Sequence, residues 1–476
     1  MNTDRHRNVV IRRIRHIAVI CMALGASACA NFSAGNLFSH YSEQNRKMYQ
    51  AVRSGHYQDA SNELPDNIGG DILDNLEKGR VYFLNHDVQK SQSFLAQSDQ
   101  AVRRQQDEAI ISVSREAASF GSLVANDNLT EYVPADYELG FLHLYLALSY
   151  VYDNQLEDAL VELRRANQVQ EKARNQRQDE LLKEKDQLKR EGVHTNVGSL
   201  LANYPSSGTT LQSIQNGYLF YLSALLYEAN GDLNDAYVDY RRALAVAPDN
   251  ASVAGSALRC AQKLGMNQDV TLLRKKYGAP QRPGKKQGRV IIIQEQGIVD
   301  QLKGWEQSLP VYDSNGRMNL YSVALPYYPA YHASNAFPVS LNEMMVEGDR
   351  LVDTNMMARK QLNERITSIV FRQILRLTLK NALRKESTKD DNNNVDVANI
   401  VMNVWNTLTE QPDTRSWITL PGAVFSATTI VSAGEQTLTV GSQSYSFRVP
   451  EQGTTLVWLS RQGENAVIWH KQLGRL

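Results

Sequence analysis

Residues 217–250 read GYLFYLSALLYEANGDLNDAYVDYRRALAVAPDN and contain two segments of helical periodicity joined by a glycine turn. In the first segment large and small apolar residues recur at spacings of four and three, as on one face of an α-helix: Phe220, Ala224 and Tyr227. Gly231 follows, and glycine ends a helix at little cost because it adopts positive φ. The second segment repeats the spacing at Ala236, Tyr240 and Ala243, and Pro248 closes it. The stretch therefore predicts a helix–turn–helix hairpin.

This 34-residue unit resembles a tetratricopeptide repeat (TPR). A second good copy covers 137–171, with Asn154 at the turn. Weaker copies cover 48–67 and 75–102, and residues 251–278 read as a closing helix pair. Each hairpin leaves an apolar stripe exposed unless it stacks on its neighbour, so several in one chain predict an α-solenoid. We assign residues 29–275 to this repeat domain.

The second half of the chain has a mixed pattern. Residues 276–289 are rich in proline, glycine and basic residues, which predicts a linker. After it, 289–297 and 320–329 read as strands, 341–383 as a helix with one apolar face (Ile366, Val370, Ile374 and Leu377), and 413–463 as antiparallel strands. The predicted fold class is therefore α-dominated: a TPR-like α-solenoid followed by a smaller mixed α+β domain over 290–476.

The N-terminus reads as a secretory signal peptide over 1–28. Five arginines precede a short apolar run at 17–24, and small residues then lead to Cys29. The segment resembles a bacterial lipobox, although Ala26 stands where that motif usually has leucine. The resemblance implies that Cys29 becomes a lipidated, palmitate-carrying N-terminus. It also implies an outer-membrane location facing the periplasm, because Ala30 is not the aspartate that retains such proteins in the inner membrane. Cleavage after Ala28 or Ala30 to give a soluble periplasmic or secreted protein is the alternative.

Composition and motifs argue against several classes of function. The formal net charge is zero, so no global charge favours a nucleic-acid partner. The sequence contains no nucleophile elbow, phosphate loop or two-histidine metal helix. We expect no catalytic residue, cofactor or metal, and hence not an enzyme. Removal of Cys21 and lipidation of Cys29 would leave Cys260 alone, so we expect no disulfide and read Cys260 as a small buried residue.

The repeats themselves supply the candidate partner site. A TPR solenoid offers a groove for a helix or an extended peptide. The arginine pairs of the two good repeats fall at matching positions, and one arginine of each should point outward, either towards a partner or merely into solvent. His143 is interpreted as core or groove lining. The predicted groove residues are His143, Tyr150, Arg164, Arg165, Phe220, Tyr227, Arg241 and Arg242.

The motif DTRSW has two interpretations. Asp413 and Arg415 could bind a charged group while Trp417 stacks on a sugar or peptide. Alternatively, Asp413 pairs with Arg415 and Trp417 enters the core, which is the interpretation that we favour.

Three longer stretches resemble one known group, the bacterial TPR-containing lipoproteins with a C-terminal α/β domain and no assigned activity. These are 126–150, 156–172 and 413–421. The resemblance implies a lipid-anchored, periplasm-facing scaffold that binds envelope proteins, in peptidoglycan synthesis or secretion. One alternative is a cell-wall enzyme using the C-terminal domain, with acids such as Asp413 and Glu295. Another is a component of an envelope-spanning export or motility machine. The sequence leaves the partner and the oligomeric state open.

Overall fold

The computed structural model of the protein describes residues 40–113, 131–169, 215–279, 281–312, 318–387 and 412–476, and His40–Leu476 forms one compact unit. The predicted signal peptide and Cys29 lie outside the described residues.

The N-terminal half is built from helical hairpins, as the repeat pattern predicts. Its helices are α1 (Tyr41–Gln44), α2 (Arg46–Arg53), α3 (Tyr57–Asn62), α4 (Gly70–Leu84), α5 (Val88–Val113), α6 (Asp136–Tyr152), α7 (156–169), α8 (Gly217–Asn230), α9 (Leu233–Val246), α10 (Ala251–Lys263) and α11 (Asn267–Tyr277). Cys260 on α10 is buried, as predicted.

Five hairpin turns share one geometry. Each contains a residue with positive φ between 60° and 91°, namely Gly55, His86, Asn154, Gly231 and Gly265. In every case the next residue donates its backbone N–H to the carbonyl five positions earlier, over 2.8–3.0 Å. This is the Schellman arrangement, which satisfies the last carbonyls of the first helix. The turn residues therefore place all five hairpins in a common register.

The described residues of the C-terminal half form one long helix and three sheets. The helix is α12 (Thr354–Ser387), and Ile366, Val370 and Ile374 on its apolar face are buried. The strands are β1 (Gln287–Gln296), β2 (Lys303–Tyr312), β3 (Met318–Tyr327), β4 (Val339–Leu341), β5 (Met344–Val346), β6 (Asp349–Asp353), β7 (Ala423–Ser432), β8 (Gly434–Val440), β9 (Gln443–Val449), β10 (Thr454–Gln462) and β11 (Asn465–Gly474).

Two details of this half differ from the sequence prediction. The predicted helix at 341–383 begins only at Thr354, because Asn342 and Glu343 have positive φ and form the tight turn between β4 and β5. The final strands are also not purely antiparallel. The five-stranded sheet has the order β11-β10-β1-β7-β6, and β10 pairs in parallel with β1.

The five-stranded sheet is covered on both faces. One face belongs to the large hydrophobic cluster that includes the helices, and it presents Ile291, Ile293, Leu456 and Trp458. The other face packs on the four-stranded sheet β5-β4-β8-β9 through Val290, Ile292 and their neighbours. Alternate residues of β1 thus enter different cores, as the two-residue period of a strand requires.

In the last four described hairpins the first helix packs against the sheet. In α6 every residue from Tyr137 to Ser149 is buried, and α8 is buried from Gly217 to Leu226. We call α4, α6, α8 and α10 the inner helices, and α5, α7, α9 and α11 the outer helices. At the start of α8 a Cβ on Gly217 would lie 2.4 Å from the carbonyl oxygen of Leu351 in β6, so only glycine permits this close contact between helix and sheet.

A buried polar cluster joins the inner helices to the sheet. Arg80 of α4 donates to the Glu295 carboxylate of β1 over 2.6 Å, and both side chains are 0% exposed. Arg80 also donates to Ser460 and lies over the ring of Tyr145. Glu295 accepts further hydrogen bonds from the hydroxyls of Tyr145 and Tyr218 and from the indole of Trp458. The charge of Glu295 is therefore compensated from four separate elements, α4, α6, α8 and β10.

The predicted linker at 276–289 joins two halves that share one hydrophobic cluster. That cluster runs from Met48 on α2 through Ile291 on β1 to Trp469 on β11. The two halves of the chain thus share their largest core, and the C-terminal half has two smaller clusters besides.

We expect Arg80→Met to lower the free energy of unfolding by about 3–5 kcal/mol, because it leaves the Glu295 carboxylate buried and without its cation. Adding Glu295→Gln should restore part of this loss. Denaturant unfolding monitored by circular dichroism measures both effects. Lys78→Met on the same helix is the control, since its partner Asp66 has 81% of its side chain exposed and the ion pair should contribute less than about 1 kcal/mol. Equal losses at residues 78 and 80 would contradict the assignment.

Candidate interaction surfaces

The inner face of the hairpins holds a segment of the same chain. Residues 413–422 precede β7 and lie against α4 and α6. Glu138 accepts the backbone N–H of Trp417 over 2.7 Å, and Glu77 accepts that of Ile418 over 2.8 Å. Arg80 donates to the carbonyl of Thr419, and Trp417 packs edge-on against Tyr145. The place where a TPR groove would receive a partner peptide is therefore filled internally.

The two carboxylates that hold this segment are buried completely. Burial raises the pKa of Glu77 to about 8, and the nearby Glu138 carboxylate adds to the effect. Burial also raises the pKa of Glu138, against the hydrogen bonds that it accepts. Both groups consequently favour their neutral form more than exposed glutamates do.

The DTRSW motif adopts the arrangement that its structural interpretation describes. Arg415 donates two side-chain hydrogen bonds to Asp413, at 2.9 and 2.8 Å, and Trp417 is 0% exposed. Although burial raises the pKa of Asp413, the Arg415 guanidinium outweighs it and the net shift is downward. The motif borders a cavity of about 130 Å³ that is also lined by Tyr132, Tyr328 and Arg365.

Two of the predicted groove residues are interior. His143 is 3% exposed, and its Nδ1 lies 2.7 Å from the Glu162 carboxylate of α7. Phe220 is 1% exposed and lies under the guanidinium of Arg242. Neither side chain can contact a partner in this structure. Tyr150 and Tyr227 are half-buried and pack against the large cluster.

In each arginine pair one side chain is exposed and the other is partly covered, as the repeat positions predict. Arg164 and Arg241 are exposed. Arg165 is partly covered and binds both Asp99 and Glu162, whereas Arg242 pairs with Asp239. The second arginine of each pair thus belongs to the packing of the hairpins, and the first faces outward.

A repeated feature of the outer helices was not recognised from the sequence. In the last three described hairpins, the residue seven positions after the left-handed turn residue is aliphatic and exposed. The turn residues are 154, 231 and 265, and the aliphatic residues are 161, 238 and 272. Val161, Val238 and Leu272 are 46%, 55% and 65% exposed. Three residues further on, each helix carries an exposed cation on the same face: Arg164, Arg241 and Lys275. We call these six residues the outer ridge.

The same count in the two earlier hairpins reaches polar residues, Asn62 and Ser93. The outer ridge is therefore a property of the last three hairpins and not of the repeat in general. Aligning the sequence on its turn residues would have revealed it, because the repeated pattern reads VELRR, VDYRR and LLRKK.

A groove of about 290 Å³ lies between α9 and α11, next to the outer ridge. Leu244 and Leu273 line it from below and are 7% and 8% exposed, while Leu272 stands at its side. Arg241, Asp269 and Lys276 supply its charged side chains. Its walls thus combine apolar surface with mainly basic groups.

Neither a metal site nor a membrane-spanning helix is found within the described ranges. No group of three or more His, Cys, Asp or Glu residues is arranged to hold an ion there. Of the helices in the same ranges, none is sufficiently long and apolar to cross a bilayer.

No protein-family model matches the chain, and no curated protein matches it. Among solved structures, MamA from AMB-1 is similar at 13% identity with a TM-score of 0.28, over 50% of this chain and 89% of that one. MamA from MSR-1 is similar at 12% identity with a TM-score of 0.27, over 50% and 94%. At such low TM-scores the likeness defines neither the fold nor the function of this chain.

We expect the stability of the wild type to fall relative to Glu77→Gln as pH rises from about 4.5 to about 8. Below the ordinary pKa of 4.5 glutamate is neutral in both states. Above pH 4.5 the glutamate loses its proton in the unfolded state before it does so in the folded state. Its raised pKa in the folded state therefore lowers the free energy of unfolding. The difference between the two proteins should change by at most about 1.4 kcal/mol per pH unit. Urea unfolding at several pH values measures it.

Glu228→Gln provides a comparison of opposite sign. Burial alone would raise the pKa of Glu228, but Arg259, Tyr240 and Lys263 lower it to about 2. The stability that Glu228 contributes should therefore be complete above pH 4.5 and disappear as pH falls towards 2. Parallel pH profiles for the two variants would contradict both assignments.

Proposed function

We propose that the protein is a scaffold that binds other proteins of the cell envelope through the outer helices of its hairpins. The single observation that carries the proposal is the outer ridge. Three successive hairpins expose an aliphatic side chain at the same position, with a cation one turn later. Scattered exposed apolar residues are normal, but a repeated set on adjoining units is typical of an interaction surface.

The arrangement of the two halves supports this choice of surface. A scaffold built on the inner face would need the sheet and the 413–422 segment to leave. That change would expose the fully buried Glu295, Glu77 and Trp417. The outer helices bind a partner without such a cost.

We further propose that the protein acts without catalysing a reaction. The acids considered for a cell-wall enzyme are committed to internal contacts. Glu295 is 0% exposed and bound to Arg80, and Asp413 is held by Arg415 with a lowered pKa. A general acid needs a pKa near the working pH and access to substrate, so neither group is suited to that role.

The proposed location is the periplasmic side of the outer membrane, with the lipid at Cys29 as the anchor. The basic N-terminal region, the short apolar run and the small residues before Cys29 support this part of the proposal. A lipid anchor would hold the scaffold near its partners and raise their effective concentration.

Site-specific photo-crosslinking in intact cells tests the docking surface. A photoreactive amino acid at Val238 or Leu272 should give adducts with envelope proteins. The same amino acid at Ser93, the equivalent exposed position of an earlier hairpin, is the matched control. Adducts that are absent at 238 and 272, or equally abundant at 93, would reject the outer ridge as the docking surface.

A separate experiment tests the anchor. We expect wild-type protein to fractionate with outer membranes, and its N-terminal peptide to carry three acyl chains at Cys29. Cys29→Ala should move the protein to the soluble periplasmic fraction without changing its unfolding midpoint. Wild-type protein that is soluble and unacylated would leave the scaffold proposal standing but remove the anchor.

A further inference from the structure

The groove between α9 and α11 has a distinctive chemistry for a docking site. Its inner surface is aliphatic, from Leu244 and Leu273, and Leu272 extends beside it with 65% of its surface exposed. Tyr277 also lines the groove, and its hydroxyl donates to the carbonyl of Pro248 over 2.9 Å. The groove thus offers apolar surface that can accept aliphatic side chains from a partner.

Basic side chains are concentrated on α11 and in the segment that follows it. From residue 274 to residue 286 the sequence contains no acidic residue but six cations, all exposed: Arg274, Lys275, Lys276, Arg282, Lys285 and Lys286. Lys276 of this set and Arg241 of α9 line the groove. A chain of zero formal net charge therefore has a locally basic stretch that begins at the groove.

The acid in the groove, Asp269, offsets the charge of Arg241 but leaves the lysines of α11 exposed. Asp269 accepts a hydrogen bond from Tyr237 over 2.8 Å and lies 3.6 Å from Arg241. Its carboxylate is thus engaged by groups of the protein itself. The exposed Lys275 and Lys276 extend the positive surface one turn beyond that pair.

We propose that this groove binds an amphipathic helix with acidic residues, contributed by an envelope protein. The helix places aliphatic side chains beside Leu244 and Leu272, and its carboxylates meet the exposed Lys275 and Lys276 of α11. This recognition combines helix-in-groove packing with charge complementarity, which sets the orientation of the bound helix. The inference rests on the proposed scaffold function and specifies the chemistry of its partner.

Fluorescence anisotropy with the purified full-length protein tests the proposal. The probe is a labelled 18-residue helical peptide of leucine, alanine and glutamate, with leucine on one face and glutamate flanking it. One comparison peptide has lysine in place of glutamate, and another has the same composition in scrambled order. We expect binding of the first peptide only, weakening steadily as salt is raised.

Three variants locate the binding site. Leu272→Ala should weaken the first peptide by about tenfold, which corresponds to about 1.4 kcal/mol. Lys275→Glu with Lys276→Glu should abolish its selectivity over the lysine peptide. Val161→Ala, which removes the equivalent ridge residue of α7, should change the affinity less than twofold. Circular dichroism confirms that each variant is folded.

The outcomes separate this inference from the scaffold function. Equal binding of the acidic, basic and scrambled peptides, or no effect of Leu272→Ala, would overturn the groove as an acidic-helix site. The protein could instead bind phosphatidylglycerol vesicles through Lys275 and Lys276 and fail to bind the peptide. That result would overturn the acidic-helix site and would indicate a membrane-contacting face. If crosslinks at 238 and 272 persist in either case, the scaffold proposal survives. If acidic peptide binds but cells give no crosslinks, the scaffold proposal fails alone.

Discussion

The structure depends on inner helices that have no polar side. In α6 and α8 nearly every residue is buried, so each helix must be covered on the face that an ordinary repeat leaves open to solvent. The five-stranded sheet supplies that cover with Ile291, Ile293 and Trp458. Burial of this apolar surface is the main favourable contribution to the association of the two halves.

Polar groups determine how the two halves fit together. A hydrophobic contact is not directional, whereas the Arg80–Glu295 pair and the glutamates at 77 and 138 each require particular partners. Glu77 and Glu138 bind consecutive backbone N–H groups of the 413–422 segment, in the manner of a receptor that holds an extended peptide. The inner helices therefore bind a segment of the same chain as a receptor binds a peptide. We propose that other proteins bind to the outer helices instead.

The sequence was informative about local elements and less so about the candidate site. Turn residues such as Gly231 and Asn154 fixed the hairpins, because a left-handed residue there ends one helix and starts the next. The sequence prediction of a helix was wrong at 342–353, where apolar residues in short strands have the spacing of a helical face. His143 and Phe220 looked like groove residues because a repeat motif shows which face of a helix is apolar, and not what covers that face.

The sequence alone determined the hairpins, their register, the β1 strand and the pairing of Asp413 with Arg415, since these follow from contacts between residues close in the chain. Only the tertiary structure decided that the sheet fills the inner face and that Glu295 meets Arg80. Those contacts join residues 215 positions apart, and their formation depends on complementary shape and on mutual compensation of buried charge. The outer ridge combines both kinds of information. Its residues can be identified from the sequence, but their exposure depends on which faces the rest of the structure covers.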